Sequence, residues 1–387
     1  MATRTLKNSQ QKVAIYIHIP FCKQRCKYCT FLSCCDYNLA DSYFDALVHE
    51  IVSNARKDMV VTSIFFGGGT PSSVDEKYLQ KVFDAIYSNY QIAPNCEVTV
   101  ECNPESVTQQ KVDLFVKNGV NRVSIGLQSA NDNTLKAIGR LHNYQQFLDA
   151  VSLFVNAGLT NINADLIVGL PESATDFENT LNKIVNLSLT HLSVYALEVY
   201  PDSQLDQEIK QGKLAVNQDA DYLANLYDVA LEKLAKHGYA RYEVSNFAKQ
   251  GKECNHNLAY WTCQSYFGFG ASAHGYIDGV RYENAPSISQ YISLINQQGN
   301  AVVDSNLIDL SEQMDEYVML GLRLQRGISV DDFYNKFAVN IYKKYPNIEK
   351  LVTLGMLYKH NHPDNQTFIA VQPDKFYVLN EILAEIL

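Results

Sequence analysis

Six short apolar runs mark the first half of the chain, and each is rich in β-branched or aromatic residues. They cover residues 13–18, 63–66, 97–101, 122–127, 161–168 and 191–196. Runs of this length and composition are typical of buried strands. Between them lie segments with apolar residues three or four positions apart, such as Leu79, Val82 and Phe83, which predict amphipathic helices. The alternation of strand and helix predicts parallel pairing of the strands.

The spacing of these runs indicates the architecture. Their centres lie about 25 to 50 residues apart, close to the ~30 residues of a βα unit. Right-handed crossovers of this length favour an α/β fold with a partial (β/α)6 TIM-like barrel of parallel strands. A doubly wound open sheet is the alternative. Polar or glycine-rich motifs follow at least five of the six strands, so we expect a ligand site at their C-terminal ends.

The pattern changes in the second half of the chain. Residues 203–237 have helical spacing, and residues 241–276 are dense in aromatic residues, Asn, Gly and His. Further on, Ser311 is predicted to cap a helix over residues 312–324, and a short β element is expected around residues 368–371. We therefore predict three regions, namely a barrel, a connecting region and a smaller, mainly helical C-terminal domain. They comprise residues 1–240, 241–286 and 287–387, respectively.

Composition and charge restrict the class of protein. Of the 387 residues, 47% are hydrophobic and 19% are charged, which is enough apolar material for a large core without disulfides. The net charge of −10 would repel phosphate backbones, so neither nucleic acid nor an anionic membrane surface is expected as the main partner.

Cysteine usage and the chain start suggest a compartment. Residues 1–12 have no apolar core of signal-peptide length, and no later stretch approaches the ~20 apolar residues that span a bilayer. Nine cysteines, grouped towards the start, are too few for a disulfide scaffold but suit metal ligation in a reducing compartment. We therefore expect a cytoplasmic protein.

The cysteines that carry chemistry are Cys22, Cys26 and Cys29, which follow the first predicted strand within eight residues. Iron–sulfur cubanes are held by one thiolate on each iron, so three thiolates leave one iron open to a ligand. The alternatives are a zinc site or unliganded core cysteines, although no second CxxC pair is present. Cys34 and Cys35 lie beyond this short segment, and we expect them to be bystanders.

The CxxxCxxC spacing, with the aromatic Tyr28 after the second cysteine, resembles the signature of the radical S-adenosylmethionine (SAM) superfamily. The resemblance implies a [4Fe–4S] cluster on Cys22, Cys26 and Cys29. In that family the open iron chelates the amino and carboxylate groups of SAM, and an electron from the cluster generates a 5′-deoxyadenosyl radical.

Further motifs follow the predicted strands, among them Gly67-Gly68-Gly69-Thr70-Pro71 and Gly139-Arg140. Taken alone, each is compatible with an ordinary turn or loop. From about residue 13 to its end, however, the chain resembles the oxygen-independent coproporphyrinogen III oxidase group. That resemblance implies SAM contacts by Tyr16, Tyr28, Gly68, Gly69, Thr70, Glu101, Gln128, Arg140 and Asp165.

Two branches of that group differ in function. The oxidase branch removes carboxyl groups from two propionates of coproporphyrinogen III, and it carries an N-terminal extension and a fourth cysteine in a CxxxCxxCxC run. Here only 21 residues precede Cys22, and Thr30-Phe31 stand where the fourth cysteine would lie. The second branch consists of heme chaperones with an HNxxYW motif, which this chain carries at residues 256–261.

The resemblance to the chaperone branch implies heme contacts by His256, Tyr260 and Trp261. A neutral imidazole can ligate heme iron and aromatic rings can pack on a porphyrin, which makes His256 a candidate iron ligand. His274 and Cys254 are the alternative ligands. From the residues alone, His256 could equally cap a loop, with Tyr260 and Trp261 in the core.

The sequence therefore predicts a heme-binding protein that delivers heme to a client hemoprotein such as a respiratory enzyme. Its expected cofactors are the [4Fe–4S] cluster, SAM and heme, without coproporphyrinogen III oxidase activity. Oxidative decarboxylation of porphyrinogen propionates is the alternative function. A transient contact with a membrane protein and a homodimer are left open.

Overall fold

The computed structural model describes residues 10–362 and 366–387. Residues 1–9 of the predicted barrel region therefore lie outside the described part. The strands are β1 (Gln11–Ile19), β2 (Met59–Gly68), β3 (Gln91–Cys102), β4 (Arg122–Gln128), β5 (Ile162–Val168), β6 (His191–Ala196), β7 (Ala240–Arg241), β8 (Asn246–Ala248), β9 (Tyr266–Phe269), β10 (His274–Ile277), β11 (Val280–Asn284), β12 (Val302–Leu307), β13 (Ile328–Ser329), β14 (Leu357–Asn361) and β15 (Thr367–Val371). The helices are α1 (Ala40–Ser53), α2 (Glu76–Asn89), α3 (Gln109–Lys117), α4 (Asp132–Ala137), α5 (Tyr144–Asn156), α6 (Ala174–Ile184), α7 (Gln204–Lys210), α8 (Ala220–Lys236), α9 (Asn255–Trp261), α10 (Ile288–Gln298), α11 (Leu310–Gly321), α12 (Val330–Phe337), α13 (Ile341–Lys344), α14 (Asn347–Thr353) and α15 (Leu379–Ile386).

Twelve of the strands form one sheet in the order β12-β11-β10-β9-β1-β2-β3-β4-β5-β6-β8-β7. Strands β1 to β6 are the six predicted strands, and each pairs in parallel with the next along the chain. A doubly wound sheet reverses its strand order at a switch point, whereas this order is sequential. The predicted α/β architecture of parallel strands is therefore confirmed, with two open edges as in a partial barrel.

Alternation along each strand separates a polar interior from an apolar outer layer. In β4, Arg122, Ser124, Gly126 and Gln128 line a central cavity, whereas the residues between them belong to the main hydrophobic core. Side chains of a strand point alternately to opposite faces of the sheet, so this strand is polar inwards and apolar outwards. The inner face of the sheet, which lines the cavity, can therefore bind polar ligands.

The helices cover the outer face because their apolar residues recur with helical spacing. Helix α5 is representative, since it buries Phe147, Ala150, Val151 and Phe154 on one side. Its first turn is fixed by a reciprocal capping box between Asn143 and Gln146. The crossover helices therefore shield the sheet from solvent and leave access to the cavity at the strand ends.

The segment after β6 adds strands to both edges of the sheet, which the sequence pattern does not predict. Strand β9 pairs in parallel with β1, and β10 to β12 extend that edge. The buried carboxylate of Glu50 fastens this extension to α1, because it accepts hydrogen bonds from Gly270 N (2.8 Å), Asn284 Nδ2 (2.7 Å) and Tyr291 Oη (2.6 Å). Burial raises the pKa of Glu50 to about 7.

A second hydrophobic core lies in the C-terminal part, between Met314 and Ile386. Residues 288–307 instead belong to the main sheet and its core, since Tyr291 and Ile295 pack there and β12 pairs with β11. By packing, the helical region therefore begins later than the predicted residue 287. The predicted short β element is β15, which lies between β13 and β14 in a three-stranded sheet.

The predicted helix cap at Ser311 is wrong by two residues. Helix α11 begins at Leu310, and the side chain of Asp309 accepts a hydrogen bond from Glu312 N (2.9 Å) while Glu312 Oε2 accepts one from Asp309 N (3.0 Å). Aspartate and serine are both good N-cap residues, but only Asp309 has a Glu three positions later. Among the described residues, none of the helices is long and apolar enough to cross a bilayer.

Candidate functional site

A cavity of about 750 Å³ opens at the C-terminal ends of β1 to β6 and extends inwards between the strands. It is lined by all twelve residues that were predicted to hold the cluster and SAM. These are Tyr16, Cys22, Cys26, Tyr28, Cys29, Gly68, Gly69, Thr70, Glu101, Gln128, Arg140 and Asp165. The fold thus brings together residues that are up to 149 positions apart in the sequence.

Backbone hydrogen bonds hold the cysteine segment against the strand ends. Cys34 N donates to Pro20 O (2.7 Å) and Cys22 N donates to Cys34 O (3.0 Å), which closes the segment into a loop. Thr70 N, directly after β2, donates to Phe21 O (2.8 Å). On the other side, Lys27 N donates to Ile138 O (3.1 Å). The loop is therefore fixed on both sides of the cavity.

The surroundings of the sulfur atoms fit metal-bound thiolates. The Arg140 guanidinium donates to Cys26 Sγ (3.4 Å), and Thr70 Oγ1 lies 3.4 Å from Cys22 Sγ. Burial raises the pKa of Cys22 to about 11, and it also raises the pKa of Cys29. Thiols in such a site are protonated unless a metal displaces the proton. The three sulfurs with a neighbouring cation therefore suit an iron–sulfur cluster, in which each thiolate binds a different iron.

No three His, Cys, Asp or Glu side chains among residues 10–362 and 366–387 converge closely enough to hold a single metal ion. Cys34 and Cys35 differ from the loop cysteines, because neither lines the cavity and Cys35 is exposed. Their expected role as bystanders stays a prediction.

Two close contacts at the end of β2 explain why glycine is needed at Gly68 and Gly69. A Cβ at Gly69 would lie 3.0 Å from Cys22 Sγ and 2.8 Å from Phe21 O, so only glycine lets the end of β2 meet the cysteine loop. Gly68 has φ = +111°, a conformation that L residues rarely adopt, and its Cβ would lie 2.7 Å from the His18 ring. Both glycines line the cavity, but the N–H groups of Gly69 and Thr70 are already engaged, because they donate to Ile19 O and Phe21 O at 2.8 Å each.

Two half-buried carboxylates, those of Glu101 and Asp165, line the cavity together. Burial raises the pKa of Glu101 to about 8, and the nearby Asp165 adds to the effect. The pKa of Asp165 is also raised by burial, although it accepts hydrogen bonds from Ser124 Oγ (3.0 Å) and Asn163 Nδ2 (2.8 Å). A pair of carboxylates in a low-dielectric space favours a ligand that brings a positive charge or hydrogen-bond donors.

Gln128 and Arg140 line the cavity at the end where the cysteine loop lies. Gln128 has φ = +69°, which is unusual outside glycine, and it follows a register shift between β4 and β5. Arg140 Nη2 donates hydrogen bonds to Gly126 O (2.8 Å) and Asn103 Oδ1 (2.7 Å), which fix the orientation of the guanidinium. A Cβ at Gly126 would lie 2.9 Å from Gln128 Nε2 and 3.1 Å from Arg140 Nη2, so both polar side chains lie beside this glycine.

The HNxxYW motif lies on helix α9, and it closes the inner end of the cavity. The backbone N–H groups of Asn255 and His256 donate to the buried carboxylate of Glu97 at 3.0 Å each. His256 is 1% exposed, and its ring stacks on Phe65 with the centroids 5.0 Å apart. Tyr260 lines the cavity beside it, whereas Trp261 is half-buried outside the lining.

Both ring nitrogens of His256 are engaged, which argues against the predicted iron ligation. Nδ1 lies 3.0 Å from Ser63 Oγ and Nε2 lies 3.0 Å from Tyr260 Oη. Burial lowers the pKa of His256 to about 3, so the imidazole is neutral. Ligation of heme iron would require one of these hydrogen bonds to break. The alternative Cys254 is also buried and donates to Glu97 Oε1 (3.4 Å), whereas His274 is exposed at the start of β10.

Sequence reasoning missed several residues that line the cavity. Asn103 accepts a hydrogen bond from Arg140, and Arg122 lies deep inside the cavity. Arg122 could have been found from the sequence, because a charged residue at the start of a buried strand is unusual. At the mouth, Phe31 is 67% exposed, and Tyr195 and Tyr200 are 42% and 43% exposed. The cavity is therefore polar within and aromatic at its entrance.

Comparisons with known proteins agree with this geometry. Residues 16–184 match the model of the radical SAM superfamily, and residues 308–362 match that of the HemN C-terminal domain. The heme chaperone HemW of Bacillus subtilis is 35% identical over 351 residues, which cover 89% of this chain and 92% of that protein. HemW of Escherichia coli is 34% identical over 268 residues, which cover 68% of this chain and 70% of that protein.

A solved structure resembles the chain along almost its whole length. It is described as the coproporphyrinogen III oxidase HemN from Escherichia coli, a radical SAM enzyme, and it matches with a TM-score of 0.84. The match covers 98% of this chain and 90% of the other at 21% sequence identity, so it bears on the fold alone.

Proposed function

The chain belongs to the radical SAM superfamily, in the family of the heme chaperone HemW, and from that premise we propose that it binds heme and delivers it to client hemoproteins. The observation that carries the proposal is the combination of two features. The chain aligns with 92% of a HemW protein, and Thr30-Phe31 follow the third cysteine, where the oxidase branch has its fourth.

The proposed cluster ligands are Cys22, Cys26 and Cys29. Their support is the fixed loop, the absence of a side chain at Gly69 and the cation beside Cys26. When bound, the [4Fe–4S] cluster and SAM supply one-electron chemistry. The role of the chain is to hold the three thiolates, to exclude water through the buried cavity walls, and to keep one face of the cluster accessible.

The proposed SAM contacts follow from the chemistry of the lining. The segment Gly68-Gly69-Thr70 suits the amino-acid end of the ligand, because it lines the cavity directly beside the cysteine loop. Glu101 and Asp165 suit the positive sulfonium and the ribose hydroxyls, since both carboxylates line the cavity and interact with each other. Arg140 and Gln128 orient the ligand beside Cys26, and Tyr16 and Tyr28 add aromatic walls.

Heme is proposed to enter edge-on through the aromatic mouth of the cavity, with its propionate edge directed inwards. Phe31, Tyr195 and Tyr200 are exposed there, and flat rings of this kind can pack against a porphyrin face. For His256 and Tyr260 a shaping role at the closed end is favoured by their mutual hydrogen bond, and Trp261 supports them from the same helix. The client hemoprotein, a contact with a membrane protein, a homodimer and a cytoplasmic location remain parts of the proposal.

The test measures heme binding and porphyrinogen chemistry on one anaerobic preparation with a reconstituted cluster. Hemin titration is expected to give a stoichiometric Soret-band complex, and the loaded protein is expected to transfer heme to an apo-hemoprotein. Conversion of coproporphyrinogen III to protoporphyrinogen IX with consumption of SAM would contradict the proposal and favour the oxidase alternative. The Cys26→Ala variant serves as the control without a complete cluster.

A further inference from the structure

Arg122 is the first residue of β4 and lies at the inner end of the cavity with only 2% of its surface exposed. Within the described residues it makes neither a salt bridge nor a side-chain hydrogen bond, and its Nε is buried without a partner. Its register partner on β3 is Thr99, whose hydroxyl is also buried without a partner. Two neighbouring polar groups are therefore unsatisfied, which is rare in protein interiors, and of the two Arg122 lines the cavity whereas Thr99 is fully buried beside it.

The nearest carboxylates do not pair with this guanidinium, because other donors already occupy them. Glu97 accepts from the backbone of α9 and from Cys254, and Asp165 accepts from Ser124 and Asn163. Both act on Arg122 only through longer-range charge interactions. A buried cation without a contact partner is costly, and a planar guanidinium matches a carboxylate with two parallel hydrogen bonds.

Arg122 lies far from the end of the cavity where the cysteine loop would hold the cluster. Gly126 O accepts from Arg140, which also contacts Cys26, whereas Arg122 lies four residues earlier on the same strand. Four residues of a strand span roughly 13 Å. A ligand whose amino-acid end lies at the cysteine loop therefore leaves Arg122 available to a different carboxylate.

We propose that Arg122 binds a carboxylate of a second ligand at the inner end of the cavity, and that this carboxylate is a propionate of heme. The inference rests on the proposed function, since it assigns the anionic group of the same heme. The methionine carboxylate of SAM is the other possible source of the same chemistry, and the experiment distinguishes the two.

The experiment compares hemin with hemin dimethyl ester, which lacks free propionates, on the full chain with a reconstituted cluster. Wild-type protein is expected to bind hemin at least about tenfold more tightly than the ester, because a hydrogen-bonded charge pair is lost. In Arg122→Gln the two ligands should bind equally, and Arg122→Lys should keep part of the difference. The matched control is Arg56→Gln, which removes an exposed arginine paired with Asp58 and Asp278 on the surface.

The ligand comparison needs no mutation, so a variant that fails to fold does not prevent the test. Equal binding of hemin and its ester by the wild type would overturn the role of Arg122 but leave heme binding intact. Wild-type protein that binds neither ligand would refute the proposed function as well. Unchanged discrimination in Arg122→Gln, with loss only of SAM affinity or of thermal stability, would overturn the propionate assignment.

Discussion

Glu50 is predicted to make the stability of the barrel depend on pH, and Glu50→Gln isolates its contribution. The carboxyl is 3% exposed, and burial raises its pKa from 4.5 to about 7 against the three hydrogen bonds that it accepts. Between these pH values the folded state keeps a proton that the unfolded state loses. The stability due to this group is therefore complete below pH 4.5 and is lost as the pH rises through 7.

The magnitude follows from the shift. A displacement from 4.5 to about 7, at 1.36 kcal/mol for each pKa unit, corresponds to ~3 kcal/mol. Glutamine stays neutral at every pH and imitates the protonated carboxyl. Relative to the wild type, Glu50→Gln should therefore gain about 3 kcal/mol in free energy of unfolding as the pH rises from about 5 to 8.

Urea unfolding at several pH values measures this difference. The chain has one tryptophan, Trp261, which lies on α9 against β2 of the barrel, so its fluorescence reports on unfolding of this region. The control is Glu232→Gln, an exposed residue paired with Lys236 on α8, whose difference from wild type should stay nearly constant above pH 5. A constant difference between Glu50→Gln and wild type over this range would refute the reasoning.

Three further predictions concern the site. Gly69→Ala should lower the free energy of unfolding by about 1–3 kcal/mol and reduce cluster content, because the new Cβ would meet Phe21 O at 2.8 Å; iron analysis and urea unfolding check both. Cys26→Ala should abolish the cluster absorbance at about 400 nm, whereas Cys35→Ala should largely retain it, and equal loss would mean that the wrong thiols were chosen. His256→Ala should leave the Soret maximum and stoichiometry of bound hemin unchanged while lowering the free energy of unfolding by ~2 kcal/mol, since Ser63 and Tyr260 lose their shared partner; a shifted Soret band would restore His256 as the iron ligand.

Much of the barrel is predictable because its signals are local. The six parallel strands are apolar runs bounded by polar motifs, and hydrophobic periodicity alone locates them. The residues at their ends share one rim because the carboxyl ends of parallel strands meet at one edge of the sheet. That rule, together with the cysteine spacing, is enough to predict that Glu101, Gln128 and Asp165 line one cavity.

The parts that are not predictable depend on contacts between distant segments. Strand β9 pairs with β1 after an interval of more than 240 residues, and buried polar residues such as Glu50 and Asn284 hold that edge together. Short strands with polar ladders carry weak periodicity, so residues 241–307 do not resemble part of a sheet. Helix α9 is hard to predict for a similar reason, because its N-terminal partner is Glu97 on β3.

Charge alternates along the cavity, and this order connects the two proposed ligands. Arg140 lies beside the cysteine loop, Glu101 and Asp165 lie in the middle, and Arg122 lies at the closed end. A zwitterionic ligand with a sulfonium fits the first two positions, where its anionic end meets the cation and its positive charge meets the carboxylates. Neither position suits a second anion, because the middle of the cavity is already acidic. Arg122 is therefore where a further carboxylate has an uncommitted buried cation to meet, which is why substitution there is expected to separate heme binding from SAM binding.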